Sequence, residues 1–465
     1  MRDTAAPSQR MTFLQSTARL NPLRLLARLH HWLTRPSPVR YVAFGYLAYM
    51  ALGWALLSLP AAQQVPVAAV DALFIAVSAV STTGLVSIDP GASFTLFGEC
   101  VILVLVQIGG LGFMTISSFA WAALSQPVGP LRERVARMVF SVSATEDIRR
   151  FIRRSVIFTL LVEAAGAAAL YPLFVARGVA DPAWSAIFHS VSAFCTAGFA
   201  LFPDSLERFA ADPAVLGVIG AVSLLGALGF LIVSELWDRL RGRRADFSVT
   251  ARLVLRALPL LILGGAMLLL VLEPEIHRRP WPDALLAALF QALSATTTVG
   301  FNSIPTTGLL PAAVMTFYVL MLIGASPSGT GGGLKVTTVA VLLALVRASA
   351  RGGPVLLFGQ PVREESVRQA ASVLTVSVLV LAAALFLLTL SERIAFDRLL
   401  FEALSALGTV GLSLGATGEL TEAGKLVIAA LMAIGRIGVL GFAVALAMQT
   451  RQPEVQRAEP AEIAL

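Results

Sequence analysis

One short pattern, Phe-x3-Ser-Ala-x2-Thr-x-Gly followed by Leu or Phe, occurs four times in the chain at intervals of roughly a hundred residues. The four copies start at Phe74, Phe188, Phe290 and Phe401. Four equivalent backbone segments of this kind can close around a common axis. The repeat therefore predicts a fourfold arrangement within one polypeptide, in a geometry that suits a pore for a small cation.

Hydrophobic residues make up 57% of the 465-residue chain and charged residues 14%, a balance far from that of a soluble globular domain. Uncharged or nearly uncharged stretches of spanning length predict eight transmembrane helices, two for each copy of the pattern. These stretches are Tyr41 to Pro60, Cys100 to Ser125, Ser155 to Ala176, Ala214 to Ser234, Leu258 to Leu272, Ala312 to Val346, Ala371 to Leu390 and Leu426 to Gln449.

The segments that lead into the four patterns are too short to span a membrane. They begin at Asp71, Trp184, Pro282 and Asp397. At about 1.5 Å per residue each crosses about half a bilayer, so we expect re-entrant pore helices. The predicted fold is an all-α polytopic membrane protein of four tandem helix, pore helix, helix (M1-P-M2) repeats around a single central pore.

The arginines indicate the orientation of the chain in the membrane. Of the 33 arginines, 26 lie in the two tails and in the segments 132–154, 239–256 and 347–368. Positive charge marks the cytoplasmic side, so both termini are predicted to be cytoplasmic, and no cleaved signal peptide is expected. The predicted parts are a basic tail at 1–40, repeats at 41–125, 126–236, 237–347 and 348–450, and a tail at 451–465.

Other classes of function find little support in the sequence. The two cysteines, Cys100 and Cys195, form no CxxC motif, and the four histidines are scattered. The basic charge is spread over separate loops, so no nucleic-acid partner is expected. We expect no enzymatic activity and no organic cofactor.

A second set of glycines follows the first set at nearly constant spacing. Each lies 24 to 28 residues after the glycine of its pattern, and the set is Gly109, Gly226, Gly324 and Gly435. A single glycine in a spanning helix most often serves close helix packing. Four in register favour a shared hinge or a wide cavity at one depth.

On these motifs the chain resembles the membrane subunits of the Trk/Ktr/HKT superfamily of potassium transporters, from about residue 41 to residue 449. The resemblance implies that backbone carbonyls of four pore loops replace the water shell of a potassium ion. Glycine is suited to such loops because it adopts backbone angles that other residues avoid. By motif position the filter residues are Thr82, Thr83, Gly84, Thr196, Ala197, Gly198, Thr298, Val299, Gly300, Thr409, Val410 and Gly411.

The resemblance also bears on the transported ion. A serine in place of the first filter glycine goes with sodium selectivity in some plant members, and Gly84 is intact here. Potassium is therefore the expected cargo, with a Trk-type or a sodium-conducting HKT-like transporter as the alternative. Whether sodium drives the flux or activates it stays open.

The third repeat differs from the others between Gly324 and Gly333, where glycine, serine and proline interrupt its second span. Such a run is tolerated at membrane depth only where it lines water or protein, so we expect an intramembrane loop at 324–335 in this repeat alone. It resembles the gating loop of the family, with candidate residues Gly324, Ser326, Gly331, Gly332 and Gly333. A phosphate-binding loop is not indicated, since Leu334 rather than glycine precedes Lys335.

Two cations and one acid lie within predicted spans, where charge is costly. We expect Lys335 to anchor the loop, or simply to snorkel or bond loop carbonyls. The resemblance implies that Arg436 is an electrostatic barrier or a tether for the loop, with pairing to Glu163 as the alternative. Glu163 itself is interpreted as a hydrogen-bond partner of a neighbouring helix.

The expected partners also come from the resemblance. Residues 1–40 cannot supply the extra helix pair of a Trk-type protein, so a Ktr-type subunit is favoured, which implies a homodimer in the bacterial cytoplasmic membrane. It also implies a separate cytoplasmic ring of nucleotide-binding (RCK-type) regulatory proteins. Segments 132–154 and 239–256 are candidate docking surfaces, with contact to anionic lipid as an equal alternative.

Two further classes of protein fit the sequence less well. A secondary transporter for an anionic solute would have inverted halves, whereas these four repeats share one orientation. A receptor or a scaffold protein would not require glycine at the four repeated positions.

Overall fold

The computed structural model describes residues 38–112, 148–243, 246–324, 326–327 and 329–438. Most of these residues are helical, and the strands among them are two pairs of two residues each. The predicted all-α fold is confirmed. Outside the described residues lie nearly all of the tail 1–40, the tail 451–465, the segment 132–147 and the far ends of the spans predicted to reach Ser125 and Gln449.

Each repeat contains a first helix, a pore helix and a second helix. The first helices are Pro38–Leu57, Ile148–Ala176, Val249–Leu272 and Glu364–Ser391. The pore helices are Ala69–Ser81, Pro182–Phe194, Trp281–Thr297 and Phe396–Gly408. The second helices are Leu96–Leu111, Pro213–Leu240, Pro311–Leu322 with its continuation Val336–Arg351, and Glu422–Ile437. Short helical turns at Pro60–Ala62, Pro90–Ser93, Glu207–Phe209, Pro274–His277 and Thr417–Glu419 lie in the connections.

Four helices of the described part are long and apolar enough to cross a membrane. They are Arg150–Ala176, Pro213–Leu240, Val249–Leu272 and Glu364–Ser391. The remaining predicted spans form shorter helices, because they are interrupted or reach the edge of the described residues. Length and composition therefore support four of the eight predicted spans.

The pore helices start where the sequence favours a helix N-terminus. Pro182 and Pro282 lie at the first or second helical position, where a missing N–H costs nothing. Asp71, Asp283 and Asp397 lie in first turns, where a negative charge complements the helix dipole. These local signals explain why such short segments form helices.

The phenylalanine that opens each pattern is a core residue. Phe74, Phe188, Phe290 and Phe401 are 1%, 0%, 3% and 0% exposed. Each anchors the middle of its pore helix among buried apolar side chains. This packing explains why phenylalanine belongs to the repeat.

The prediction that only repeat three breaks its second helix is wrong. The second helices of repeats one and four end immediately before Gly112 and Gly438, and Gly229 kinks Pro213–Leu240. The φ angles of Gly112, Gly229 and Gly438 are 79°, 74° and 88°, a region that only glycine adopts at low cost. Repeat three differs in extent, since a whole loop replaces the single glycine.

Candidate functional site

The threonine of each pattern has the same strained conformation, at the C-cap of the pore helix in repeats one, three and four and one residue after the C-cap in repeat two. Thr82, Thr196, Thr298 and Thr409 have φ angles of 52°, 50°, 59° and 48°. A left-handed residue other than glycine costs roughly 1–2 kcal/mol, and such strain is often found at functional sites.

The turn after each threonine is held by one repeated backbone hydrogen bond. The N–H that follows the threonine donates to the carbonyl oxygen of the pattern's serine. The pairs are Thr83 to Ser78 at 2.9 Å, Ala197 to Ser192 at 2.8 Å, Val299 to Ser294 at 3.1 Å and Val410 to Ser405 at 2.9 Å. A left-handed residue at a helix C-terminus allows this closure, so the spacing of the pattern is the spacing of a helix cap.

The four pattern glycines make one repeated contact between neighbouring repeats. Their φ angles are 89°, 64°, 80° and 96° for Gly84, Gly198, Gly300 and Gly411. A methyl group added to any of them would collide with a backbone carbonyl oxygen of the next repeat. The pairs are Gly84 with Ala197, Gly198 with Val299, Gly300 with Val410, and Gly411 with Thr83.

The last of these contacts returns from repeat four to repeat one. The four segments therefore close into a ring in chain order, which we call the glycine ring and define by these four glycines and their partner carbonyls. All four partner residues are 0% exposed. Uncharged oxygens converging from four sides can replace the water of a small cation, and the negative ends of four pore helices favour positive charge there.

The pattern's serine supports the ring differently in different repeats. Ser78 and Ser405 accept a hydrogen bond on their hydroxyl oxygen from the N–H of the ring glycine, at 3.1 and 3.0 Å. Ser294 instead donates to the carbonyl oxygen of Phe301 at 2.8 Å. The hydroxyl of Ser192 has no partner among the described residues.

Three of the second-helix glycines serve close packing, which was one of the two interpretations of their spacing. A methyl group on Gly109, Gly226 or Gly435 would collide with the carbonyl oxygen that lies two residues before the threonine of the same repeat. Gly324 differs, because its collision would be with Gly332 of the loop. The second helices therefore approach the pore-helix ends as closely as backbone allows.

The loop 324–335 lies against the pore-helix ends beneath the glycine ring. A parallel pair of two-residue strands, Ile323–Gly324 and Leu334–Lys335, closes its base. The N–H of Gly332 donates to the hydroxyl of Thr298 at 3.2 Å, and the hydroxyls of Thr196 and Thr330 lie 3.1 Å apart. The loop thus binds the threonines of repeats two and three. The hydroxyls of Thr82 and Thr409 have no partner within the described part of the chain.

The loop docks on the second helix of repeat two where that helix is kinked. The N–H groups of Ser326 and Thr330 donate to the carbonyl oxygens of Ala227 and Gly226, at 3.3 and 3.1 Å. Carbonyls that precede a break lack helical partners and are free to accept. The kink at Gly229 therefore creates the acceptors for the loop.

Two cations hold the loop from below. Lys335 donates to the carbonyl oxygens of Gly331 and Gly332, the second at 3.4 Å. Arg436 donates to the carbonyl oxygen of Thr330 at 2.5 Å and, through its other terminal nitrogen, to that of Gly109. Arg436 thus connects repeat four, the loop of repeat three and repeat one. The contacts given for Arg436 and Glu163 in the described part of the chain are with other residues, not with each other.

Glu163 contacts a neighbouring helix, as predicted. Gln107, on the second helix of repeat one, donates to its carboxylate at 3.2 Å, and the Cys195 thiol donates to it at 3.8 Å. A cavity of about 440 Å³ lies against the loop and is lined by Thr330, Lys335 and Arg436 among others.

Sequence reasoning missed Thr330, Gln107 and the three helix-breaking glycines. The glycines carried a visible signal, because Gly112, Gly229 and Gly438 each lie three residues after a packing glycine. Thr330 and Gln107 carried none, since their partners come from other repeats.

The chain is similar to known proteins over most of its length. The profile of the family described as TrkH, cation transport protein, matches residues 54–457. The Ktr system potassium uptake protein B of Vibrio alginolyticus is 36% identical over 420 residues, covering 88% of this chain and 91% of the relative. The protein of the same name from Bacillus subtilis is 33% identical, covering 91% and 95%.

Two further matches extend the comparison. The potassium/sodium uptake protein NtpJ of Enterococcus hirae is 30% identical, covering 92% of this chain and 97% of the relative. The crystal structure of the potassium transporter TrkH from Vibrio parahaemolyticus superposes with a TM-score of 0.70 at 21% identity, covering 89% and 86%. The relatives are named as transporters and uptake proteins, not as enzymes.

Proposed function

The chain belongs to the TrkH family of cation transport proteins, and on that premise we propose that it takes up potassium ions through the glycine ring. The observation that carries the proposal is the closed cycle of contacts from Gly84 through Gly198 and Gly300 to Gly411 and back to Thr83. Two relatives that share at least 33% of their residues with the chain are named potassium uptake proteins. The filter comprises the threonine, the following residue and the glycine of each pattern.

We propose further that the loop 324–335 is the gate and that it is closed in this structure. Its hydrogen bonds to the threonines of repeats two and three support this role, because they hold backbone across the inner end of the ring. Lys335 stabilises the loop from within, and Arg436 fixes it to repeats one and four. Opening requires these bonds to break, so the gate responds to any force that moves the second helices.

Such a force would come from a cytoplasmic partner. We propose a homodimer in the bacterial cytoplasmic membrane, with cytoplasmic termini, controlled by a ring of nucleotide-binding regulatory subunits. The naming of two relatives as parts of a Ktr system supports a partner. Segment 239–256 is one docking surface. Within it, Arg252 and Arg256 lie over the ring of Phe358, in the hairpin formed by the strands Leu356–Leu357 and Gln360–Pro361.

The test is potassium flux into liposomes that contain the purified protein, measured with potassium and with sodium as the cation. We expect wild type to prefer potassium and Gly300→Ser to lose that preference, since a side chain there collides with the carbonyl of Val410. Gly308→Ser is the matched control: Gly308 lies in the same repeat with φ of 89° and has open space around it. An unchanged preference in Gly300→Ser would remove the ring from the filter.

Sodium conduction is the second candidate, favoured by the relative named for both potassium and sodium uptake. Equal potassium and sodium flux through wild type would support it. Potassium flux that rises with added sodium at constant driving force would instead support sodium as an activator.

A further inference from the structure

The residue that follows the phenylalanine of each pattern lies in the middle of its pore helix. The four residues are Ile75, His189, Gln291 and Glu402, and all are 0% exposed. Three of them are polar, although burying a polar side chain is costly unless its hydrogen bonds are made. Their shared position suggests a shared partner.

That partner is a backbone N–H three residues after the ring glycine. His189 accepts from the N–H of Leu201 at 3.4 Å, through Nε2. Gln291 accepts from Ser303 at 2.9 Å, and Glu402 accepts from Leu414 at 3.2 Å. The same offset in three repeats places one hydrogen bond behind each of three filter segments.

The three acceptors reach this arrangement by different chemistry. The Nδ1 of His189 lies 2.7 Å from the carbonyl oxygen of Ser185, which fixes the hydrogen on Nδ1 and leaves Nε2 free to accept. Gln291 also accepts from the hydroxyl of Ser303 at 3.3 Å. Three unlike side chains therefore make one contact.

Glu402 makes the most extensive set of bonds. One carboxylate oxygen accepts from the Ser413 hydroxyl at 2.5 Å and from the N–H groups of Leu414 and Ala416, both at 3.2 Å. The other oxygen accepts from the Thr417 hydroxyl at 2.6 Å. An ionised carboxylate accepts on both oxygens and forms stronger bonds than an amide.

Repeat one lacks this bond. Ile75 offers no acceptor, and Ser87, three residues after Gly84, has a buried hydroxyl without a hydrogen-bond partner in the described part of the chain. The filter segment of repeat one therefore lacks this particular bond to its pore helix, while the segments of the other three repeats have it.

We propose that His189, Gln291 and Glu402 are positioning residues that brace the outer end of the filter and set its preference for potassium over sodium. The inference rests on the proposed function of the glycine ring. The filter segments contain left-handed threonines and glycines, so their carbonyls hold one direction only if the chain after them is fixed. A loosened ring adapts to the smaller sodium ion.

The experiment exchanges residues that the chain itself uses at this position. Glu402→Ile copies repeat one and removes the brace, whereas Glu402→Gln copies repeat three and keeps an acceptor. We expect the potassium-to-sodium flux ratio in liposomes to fall about tenfold in Glu402→Ile and to stay within about twofold of wild type in Glu402→Gln. If Glu402→Ile does not fold, Gln291→Leu against Gln291→Glu gives the same comparison.

The outcomes separate this inference from the filter assignment. If Glu402→Ile and Gln291→Leu keep the wild-type potassium-to-sodium flux ratio while Gly300→Ser loses it, the bracing role is wrong and the filter assignment stands. If the potassium-to-sodium flux ratio falls equally in Glu402→Gln and Glu402→Ile, the effect comes from the lost charge and not from the lost acceptor, and the bracing role is again wrong. A wild-type ratio in Gly300→Ser overturns the filter, and the brace falls with it.

Discussion

At the glycine ring all four repeats contribute the same contact, a glycine against a carbonyl oxygen of the next repeat. At the loop beneath it each repeat contributes something different. Repeat three supplies the loop, repeat two supplies the carbonyls of its kinked helix, repeat four supplies Arg436 and repeat one supplies the carbonyl of Gly109. If the ring selects the ion and the loop is the gate, as proposed, the difference has a reason: selection needs equal oxygens around one axis, whereas a single gating segment needs partners that differ.

The largest expected effect comes from breaking the ring where it closes. Gly411→Ala adds a methyl group against the carbonyl of Thr83 at a φ of 96°. We expect potassium flux in liposomes to fall at least about a hundredfold, because both the backbone angle and the space exclude a side chain. Gly352→Ala, at φ of 63° with open space around it, is the control. Flux within a few-fold of wild type would show that the ring is not the conducting path.

The next effect concerns the loop and should have the opposite sign. Arg436→Gln removes the bonds to Thr330 and Gly109, so we expect basal potassium flux, without any regulatory partner, to rise about tenfold. Flux measurements on protein alone in liposomes test this. Reduced or unchanged flux would contradict a tether that holds the gate closed.

Arg436→Lys separates a tether from a barrier. Lysine keeps the positive charge but lacks the forked donors that reach two carbonyls at once. If Arg436 acts as a tether, the lysine variant should leak like Arg436→Gln. If the charge itself blocks the pore, the lysine variant should stay as closed as wild type.

The same contrast explains what the sequence could predict. The ring could be predicted because each segment needs glycine at a backbone angle and threonine at a helix end, which leaves a visible repeat. The partners of Arg436 could not, since backbone carbonyls have no signature in side chains and Gly109 is far away in the chain. The helix breaks at Gly112, Gly229 and Gly438 were missed because a single glycine is compatible with a continuous helix.

An ion pair joins repeats four and one, the two repeats between which the glycine ring closes. Lys425, on the second helix of repeat four, lies 2.6 Å from Asp71 on the pore helix of repeat one, with side chains 14% and 13% exposed. We expect Asp71→Asn to lower the free energy of unfolding by about 1–3 kcal/mol, because it leaves a largely buried ammonium with a weaker partner. Thermal unfolding in detergent measures this.

Glu364→Gln is the control for Asp71→Asn, because it breaks an ion pair that lies in solvent. The side chains of Glu364 and its partner Arg368 are 88% and 76% exposed. Exposed pairs contribute little, so its midpoint should stay close to that of wild type. An equal fall of the unfolding midpoint in both variants would mean that the ion pair of Lys425 with Asp71 has no special part in closing the ring.

The smallest effect lies at the outer start of the second helix of repeat two. Partial burial raises the pKa of Asp212, but hydrogen bonds from Arg177 and from the N–H groups of Ala214 and Val215 outweigh it and hold the pKa below its usual value. A carboxyl group whose pKa is depressed in the folded state stabilises the fold at pH values above the ordinary aspartate pKa. This stabilisation is lost as the pH falls through the pKa of the folded state. We expect the thermal midpoint of wild type to fall slightly more than that of Asp212→Asn between pH 6 and about pH 3. Parallel curves for the two proteins would show that this helix cap adds no pH-dependent stability, and that the anchoring of the kinked helix lies in its packing instead.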